Sequence, residues 1–150
     1  MTVNEKLKQI IEAIPEIKYY AYNSINHVEK VMEYPALLRL PRHSDTIGAG
    51  NKYTNNISTN ETFIILQTVR KKEDDKEGLI EEQIENEMLS IFLKLKAAFE
   101  RERLGDVNNT IRWYRRTTAD YCLVLEFTCL FKDIIEECDG NIRLAKRYSD

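Results

Sequence analysis

A chain of 150 residues that is 43% hydrophobic and 31% charged, with only 5 Gly and 3 Pro, suits one domain with one core and is too rich in Ile, Leu, Phe and Tyr to remain disordered. Its formal net charge of -3 excludes the overall basic excess that drives nonspecific attachment to DNA or anionic membranes, so any nucleic-acid contact has to be local. No apolar run approaches the roughly 20 residues of a membrane span, and "MTVNEKLKQII" lacks the uninterrupted apolar stretch of a signal peptide, so the expectation is a soluble protein made inside a cell.

In chain order, Val3, Leu7, Ile10, Ile11 and Ile14 recur at helical spacing behind the capping pattern of Thr2 and Glu5, which predicts a short amphipathic helix ending near Pro15. "EIKYYAYNS" reads as a strand with Ile17, Tyr19 and Ala21 on one side and Lys18, Tyr20 and Tyr22 on the other. Pro35 and Pro41, which cannot donate to a ladder, bracket a second short strand over Ala36 to Leu40. Residues 43 to 61, "HSDTIGAGNKYTNNISTNE", hold two glycines and five Asn or Asp with little to pack. They are expected to form a long flexible loop, spanning about 42–61, and a connection of that length in a compact domain points to function.

"ETFIILQTVRK" is β-branched and aromatic on both faces near its start and polar at its end, the pattern of a central strand emerging into solvent. After the charged connector "KKEDDKEG", Ile80, Ile84, Met88, Ile91, Leu95 and Ala98 trace one helical stripe that Leu89, Phe92 and Phe99 widen. Gly105 with Asp106 is expected to cap and turn this long helix. "NTIRWYRRT" and "DYCLVLEFTCLFKD" then form a hairpin turning near Thr118 to Asp120, with Tyr121, Leu123, Leu125, Phe127, Cys129 and Phe131 on one face. Residues 133–150 carry a weak apolar pattern and read as a C-terminal tail element, packed loosely or on something other than its own domain. The expected fold is therefore α+β: a two-layer sandwich in which an antiparallel or mixed sheet of 4–5 strands is packed by the N-terminal helix and the long central one. Its main body covers residues 1–132.

Sites for chemistry are hard to find. Cys122, Cys129 and Cys138 contain no C-x-x-C spacing, and with two isolated histidines, His27 and His43, they do not spell a zinc site. They fit a reducing compartment. Neither histidine sits in H-E-x-x-H or beside G-x-S-x-G, and no base is placed beside either strand cysteine, so no nucleophile is assigned and the chain is read as a non-enzyme without a cofactor or metal. "IGAGNKYT" lacks the P-loop spacing and leads toward a strand rather than a helix. The acidic run from Glu73 to Glu87 lacks the alternating ligands of a calcium loop and is accounted for by the helix dipole. "IRWYRR", with Arg112, Arg115 and Arg116 interleaved with Trp113 and Tyr114, keeps one alternative open: a small nucleic-acid-binding module in which aromatics stack bases. Pairing with acidic side chains of a neighbour explains the same arginines.

The order of "AIPEIK" after an amphipathic helix, "YPALLRLP", a long polar loop, "ETFIILQTVRK", a long helix and "NTIRWYRRTTADYCLVLEFTCLF" resembles the tail terminator and tail-completion proteins of tailed bacteriophages, over roughly residues 3 to 132. The resemblance implies a structural virion protein: a subunit of a closed, often hexameric ring at the head–tail junction that stops tail-tube polymerisation and joins the tail to the head connector. It implies tail-tube and connector or neck proteins as partners, DNA only as passing lumen contents, and a place in the virion after assembly in the host cytoplasm. Candidate contacts between subunits or with neighbouring proteins are Ile47, Lys52 and Tyr53 in the polar loop, Glu73, Asp74 and Asp75 in the connector, Arg112, Arg115 and Arg116 in the hairpin, and Arg143 and Arg147 in the tail. Residues 71–87 hold three lysines against eight acids while 110–117 and 141–150 are mainly basic, and complementary patches on one subunit suit head-to-tail closure.

Overall fold

The structure, a computed structural model, describes residues 3–22, 33–40, 44–49, 54–69, 78–116, 122–138 and 141–144. Helix α1 (Val3–Glu12) leads into β1 (Tyr19–Tyr22), β2 (Ala36–Arg39), β3 (Ser44–Ala49) and β4 (Thr54–Thr68). Helix α2 (Leu79–Arg101) follows, then β5 (Asp106–Val107), β6 (Arg112–Arg116), β7 (Cys122–Cys138) and β8 (Asn141–Leu144). The eight strands described form one sheet in the order β1-β2-β4-β7-β5, with β3 on β4 and both β6 and β8 on β7. Only β1 and β2 run parallel, so the sheet is mixed and the fold is an α+β sandwich. Parallel neighbours need a crossover of about a dozen residues. Residues 23–35 make that connection, and 23–32 lie outside the described residues, as do the proposed cap Thr2 and the turn at 118–120.

Burial explains why β4 and β7 sit at the centre. Phe63 and Ile65 alternate with Ile64 and Leu66, and all four are buried. The first pair faces the helices, where Leu37, Leu125, Phe127, Cys129 and Phe131 meet Leu7 and Ile10 of α1 and Met88, Ile91, Phe92, Leu95 and Phe99 of α2. The second pair joins Ala36, Leu38, Cys122 and Val124 in a smaller cluster on the opposite face. A strand buried on both sides has no polar alternation to show, which is why "FIIL" reads as a continuous apolar run. Phe63 is the hub of the helix side: its ring lies 5.2 Å from Phe127 in a stack and 5.7 Å from Phe99 edge-on, while Phe92 meets Phe127 at 5.0 Å. Such pairs add about 0.5–1.5 kcal/mol each beyond the area they remove from water. Tyr19 and Ala21 pack against the second cluster and Tyr20 against the first. Ile17 lies on the helix side with Tyr20 rather than with Tyr19, because the strand begins only at Tyr19 and alternation does not extend back to it.

Two regions depart from expectation in the same way. The long polar loop is a hairpin: β3 pairs antiparallel with β4 from Ser44↔Asn60 to Ala49↔Asn55, and β4 remains paired with β7 from Thr68↔Cys122 to Thr54↔Glu136. The first part of the tail is also strand, since β7 runs on to Cys138 and β8 returns along it, with Ile135 opposite Leu144, while residues 139–140 and 145–150 lie outside the described residues. The two segments flank a single four-stranded extension, β3-β4-β7-β8, continuous with the body. Asn, Ser and Thr hide such strands because hydrophobic period reports burial, whereas strand pairing uses only backbone groups.

The end of α2 also differs. Gly105 is not the left-handed residue; Arg103 is, at φ 52°. The Leu104 amide donates to Phe99 O at 2.9 Å and the Arg103 amide to Glu100 O at 3.2 Å, the bond pair of a Schellman cap, with Leu104 and Phe99 both in the core. Gly105 is needed for space, since a Cβ there would meet Leu130 O at 2.7 Å and Cys129 Sγ at 2.8 Å.

Candidate assembly surfaces

Where the helix-covered body gives way to the extension, the sheet buries a charge pair. Arg39 and Glu61 are 7% and 2% exposed, and Arg39 Nε and Nη2 donate to the two carboxylate oxygens, each at 2.6 Å. The register explains the fork: Arg39 lies opposite Phe63, so Glu61 is its diagonal neighbour on the same face. The Arg39 guanidinium lies 4.6 Å from the Tyr22 ring centroid and 5.8 Å from that of Phe131. Burial opposes the charge on Arg39, yet the bonds and field of Glu61 hold its pKa above the ordinary value. Burial likewise pushes up the Tyr20 hydroxyl beside it, against the pull of Arg39. Both charges are compensated, so the group locks geometry and leaves no reactive atom. A lone buried Arg or Glu in a strand pattern gives no sign of its partner, and this site escaped sequence reading.

Among the described strands, the basic strand β6 pairs with β7 alone and forms one flank of the body sheet. Arg112 sits opposite Glu126, with its guanidinium 3.9 Å from that carboxylate and 5.1 Å from the Tyr114 ring. Arg115 binds Glu81 at the start of α2. Acids of the same chain therefore engage both arginines, and Arg116 ends the strand opposite Cys122. Trp113 lies opposite Leu125 and so shares the helix-side face, but it stands 37% exposed, and Leu93 on the neighbouring helix is 54% exposed. The sequence drew attention to the arginines of this strand, whereas the structure leaves the indole available.

On the opposite flank, Pro15, Glu16, Lys18, Pro35, Gln67, Glu87, Ser90 and Ile91 line an open pocket of about 460 Å³. Pro15 follows α1 and Pro35 immediately precedes β2, and the Lys18 amide donates to Pro35 O at 2.9 Å to hold the two connections together. Glu16 turns one carboxylate oxygen to Lys94, and that hydrogen bond holds its pKa below the ordinary carboxylate value. The Glu16 side chain as a whole stands 41% exposed at the rim of the pocket.

The remaining expected contacts divide simply. Ile47 is in β3 opposite Ile57, and Arg143 is in β8 opposite Glu136, both in the four-stranded extension. Lys52, Tyr53, Glu73, Asp74, Asp75 and Arg147 lie outside the described residues. Cys122 and Cys129 are buried in the core, and among the described residues no group of three His, Cys, Asp or Glu side chains could hold a metal ion. No helix described is long and apolar enough to cross a membrane. In comparisons with known proteins, no family model matches the chain and no curated protein sequence matches it closely enough to count as a relative.

Proposed function

We propose that the chain is a structural subunit of a homo-oligomeric ring at the head–tail junction of a tailed bacteriophage, where it terminates the tail tube and meets the head connector. The resemblance of the element order to tail terminators is one support. The observation that carries the reading is the shape of the sheet: β4 and β7 are 15 and 17 residues long, against a usual strand of about 5–6. Their distal halves continue with β3 and β8 past the helix-packed core. Such an extension gives a ring an element with which to reach a copy or an adjoining ring.

A second support is asymmetry. One flank carries an exposed indole and the other a pocket, so the surfaces that meet between copies would be different, and a heterologous contact closes into a ring when its rotation permits. The site residues in this reading act by contact rather than chemistry. The test is functional: the purified protein, added to polymerising tail-tube protein from the same virus, is expected to cap tube ends and arrest elongation, with ring-shaped particles visible by negative-stain electron microscopy. Tubes that lengthen unchanged in a stoichiometric excess of the protein contradict the proposal.

A further inference from the structure

The body of the sheet is bounded by two strands that differ in direction but not in level. Among the described strands, β1 pairs with β2 alone and β6 with β7 alone, so each has an outer edge that no described strand covers. An uncovered edge is a template for pairing with another chain. The registers run in unbroken rows from one edge to the other: Tyr19 shares a row with Ala36, Leu66, Val124 and Tyr114, and Tyr20 shares the next with Leu37, Ile65, Leu125 and Trp113. Ala21 is likewise level with Arg112. β1 is parallel to β2, and each later step, β2 to β4, β4 to β7 and β7 to β6, reverses direction. β6 therefore runs opposite to β1.

We infer that the outer edge of β6 in one copy pairs antiparallel with the outer edge of β1 in the next, Trp113 opposite Tyr20 and Arg112 opposite Ala21, so that the sheets of successive copies join. This rests on the ring reading and names the contact that closes it. Because the two edge strands run in opposite directions, copies related by rotation about an axis along the strands meet as an antiparallel pair. Because they are level, the pairing needs no slide: a slip of two residues would add about 7 Å of rise per copy and wind the copies into an open filament, whereas a pure rotation closes. A slip of one residue would put the helices of the next copy on the other face of the joined sheet. The side chains agree row by row. Trp113, 37% exposed, and Tyr20 both lie on the helix side, while Tyr114 and Tyr19 both pack against the cluster on the opposite face. The join thus continues both apolar layers across the boundary, with an aromatic pair in each, and aromatic side chains directly opposite one another are favourable cross-strand pairs. In strand addition of this kind main-chain bonds supply the affinity and the alternating side chains the selectivity. One residue beyond the matched rows Arg115 comes beside Lys18, but Glu81 binds the first and Lys18 lies in the field of Glu16, so both charges are already compensated.

The experiment uses the full chain, first unaltered. Hydrogen exchange is compared below and above the concentration at which light scattering shows assembly, and outward-pointing amides of both Tyr19–Tyr22 and Arg112–Arg116 are expected to exchange about tenfold more slowly in the assembly. Cross-linking then reads the register. Directly opposite residues of an antiparallel pair have Cα atoms about 4.5–5.5 Å apart, within reach of a disulfide, whereas a two-residue offset of about 7–8 Å is not. An oxidised equimolar mixture of Ala21→Cys and Arg112→Cys is expected to give a linked dimer well above the baseline that oxidised wild type sets through its own cysteines, and neither variant alone is expected to exceed that baseline. Ala21→Cys mixed with Tyr114→Cys, two residues out of register, is expected to link about tenfold less. An assembled wild type whose β1 or β6 amides exchange as fast as in the monomer overturns the edge pairing while leaving the ring in place, as does a folded in-register mixture that links no better than the offset one. The exchange measurement needs no variant, so a substitution that fails to fold does not decide the outcome. A wild type that stays monomeric at every concentration up to about a millimolar, far weaker than a specific interface, overturns the pairing and the ring reading together.

Discussion

Replacing Arg39 or Glu61 singly should unfold far more of the protein than replacing both. The pair is nearly excluded from water, at 7% and 2% exposure, and is joined by two contacts of 2.6 Å. Arg39→Ala strands a carboxylate between β4 and the helices, and Glu61→Ala strands a guanidinium against Tyr22 and Phe131. Breaking such a pair from one side costs about 3–5 kcal/mol, a large part of the total stability of roughly 5–15 kcal/mol expected of a single domain. Additive behaviour would put the double variant about 6–10 kcal/mol down and leave it unfolded. Apolar replacement of both, as Arg39→Met with Glu61→Leu, removes the desolvation penalty along with the attraction and should fall within about 2 kcal/mol of wild type. Urea denaturation followed by circular dichroism reads all four proteins on one scale, provided the m-values agree. Single variants that lose less than about 1 kcal/mol, the range of a solvent-exposed pair, would refute the reasoning, as would a double variant that loses the sum of the singles.

Four further outcomes follow from backbone and surface chemistry. Arg103 occupies the left-handed cap position at φ 52° with its side chain exposed, so Arg103→Gly should stabilise by about 0.5–1 kcal/mol, seen as a higher urea midpoint. Gly78, at φ 71° with nothing within 4 Å of a Cβ, should respond with the opposite sign, Gly78→Ala losing about 1 kcal/mol through conformation alone. At Gly105 the obstacle is steric: the Leu130 carbonyl at 2.7 Å is sheet backbone, so Gly105→Ala should cost about 1–3 kcal/mol and lower the melting temperature measured by calorimetry. Lys6 meets Glu102 at 2.8 Å and holds its pKa below the ordinary value of 4.5, chiefly by that hydrogen bond. A depressed carboxylate stabilises above its unfolded pKa and loses that contribution as pH falls through the folded one. Lys6→Met should therefore melt below wild type near about pH 7, and the two melting curves should converge by about pH 2; a difference that persists in acid would assign the effect to packing.

What the sequence revealed depended on how each residue is buried. Both helices, the central strand and the terminal hairpin announce themselves through apolar period, because Leu7, Phe63, Ile65, Leu95 and Phe127 are placed by the need to leave water. Thr54 to Asn60 and the end of β7 give no such signal, since their pairing is made by backbone groups that every side chain shares. Gly105 and Arg103 exchange the roles that local rules assign, because the close approach of Leu130 decides where glycine is required and the core contact of Leu104 decides where the helix ends. The arginines of β6 were legible as a site from composition alone, yet Glu81 and Glu126 engage two of them.

Mass as a function of concentration tests the central claim most directly. Multi-angle light scattering of the 17.7 kDa wild-type chain is expected to rise to a plateau at one fixed multiple of the subunit mass and stay there, six being the number that the resemblance implies. A closed ring has no free end to add to. Monomer throughout, a plateau at a symmetric dimer, or a mass that climbs without limit would each contradict a subunit built to close on its own copies.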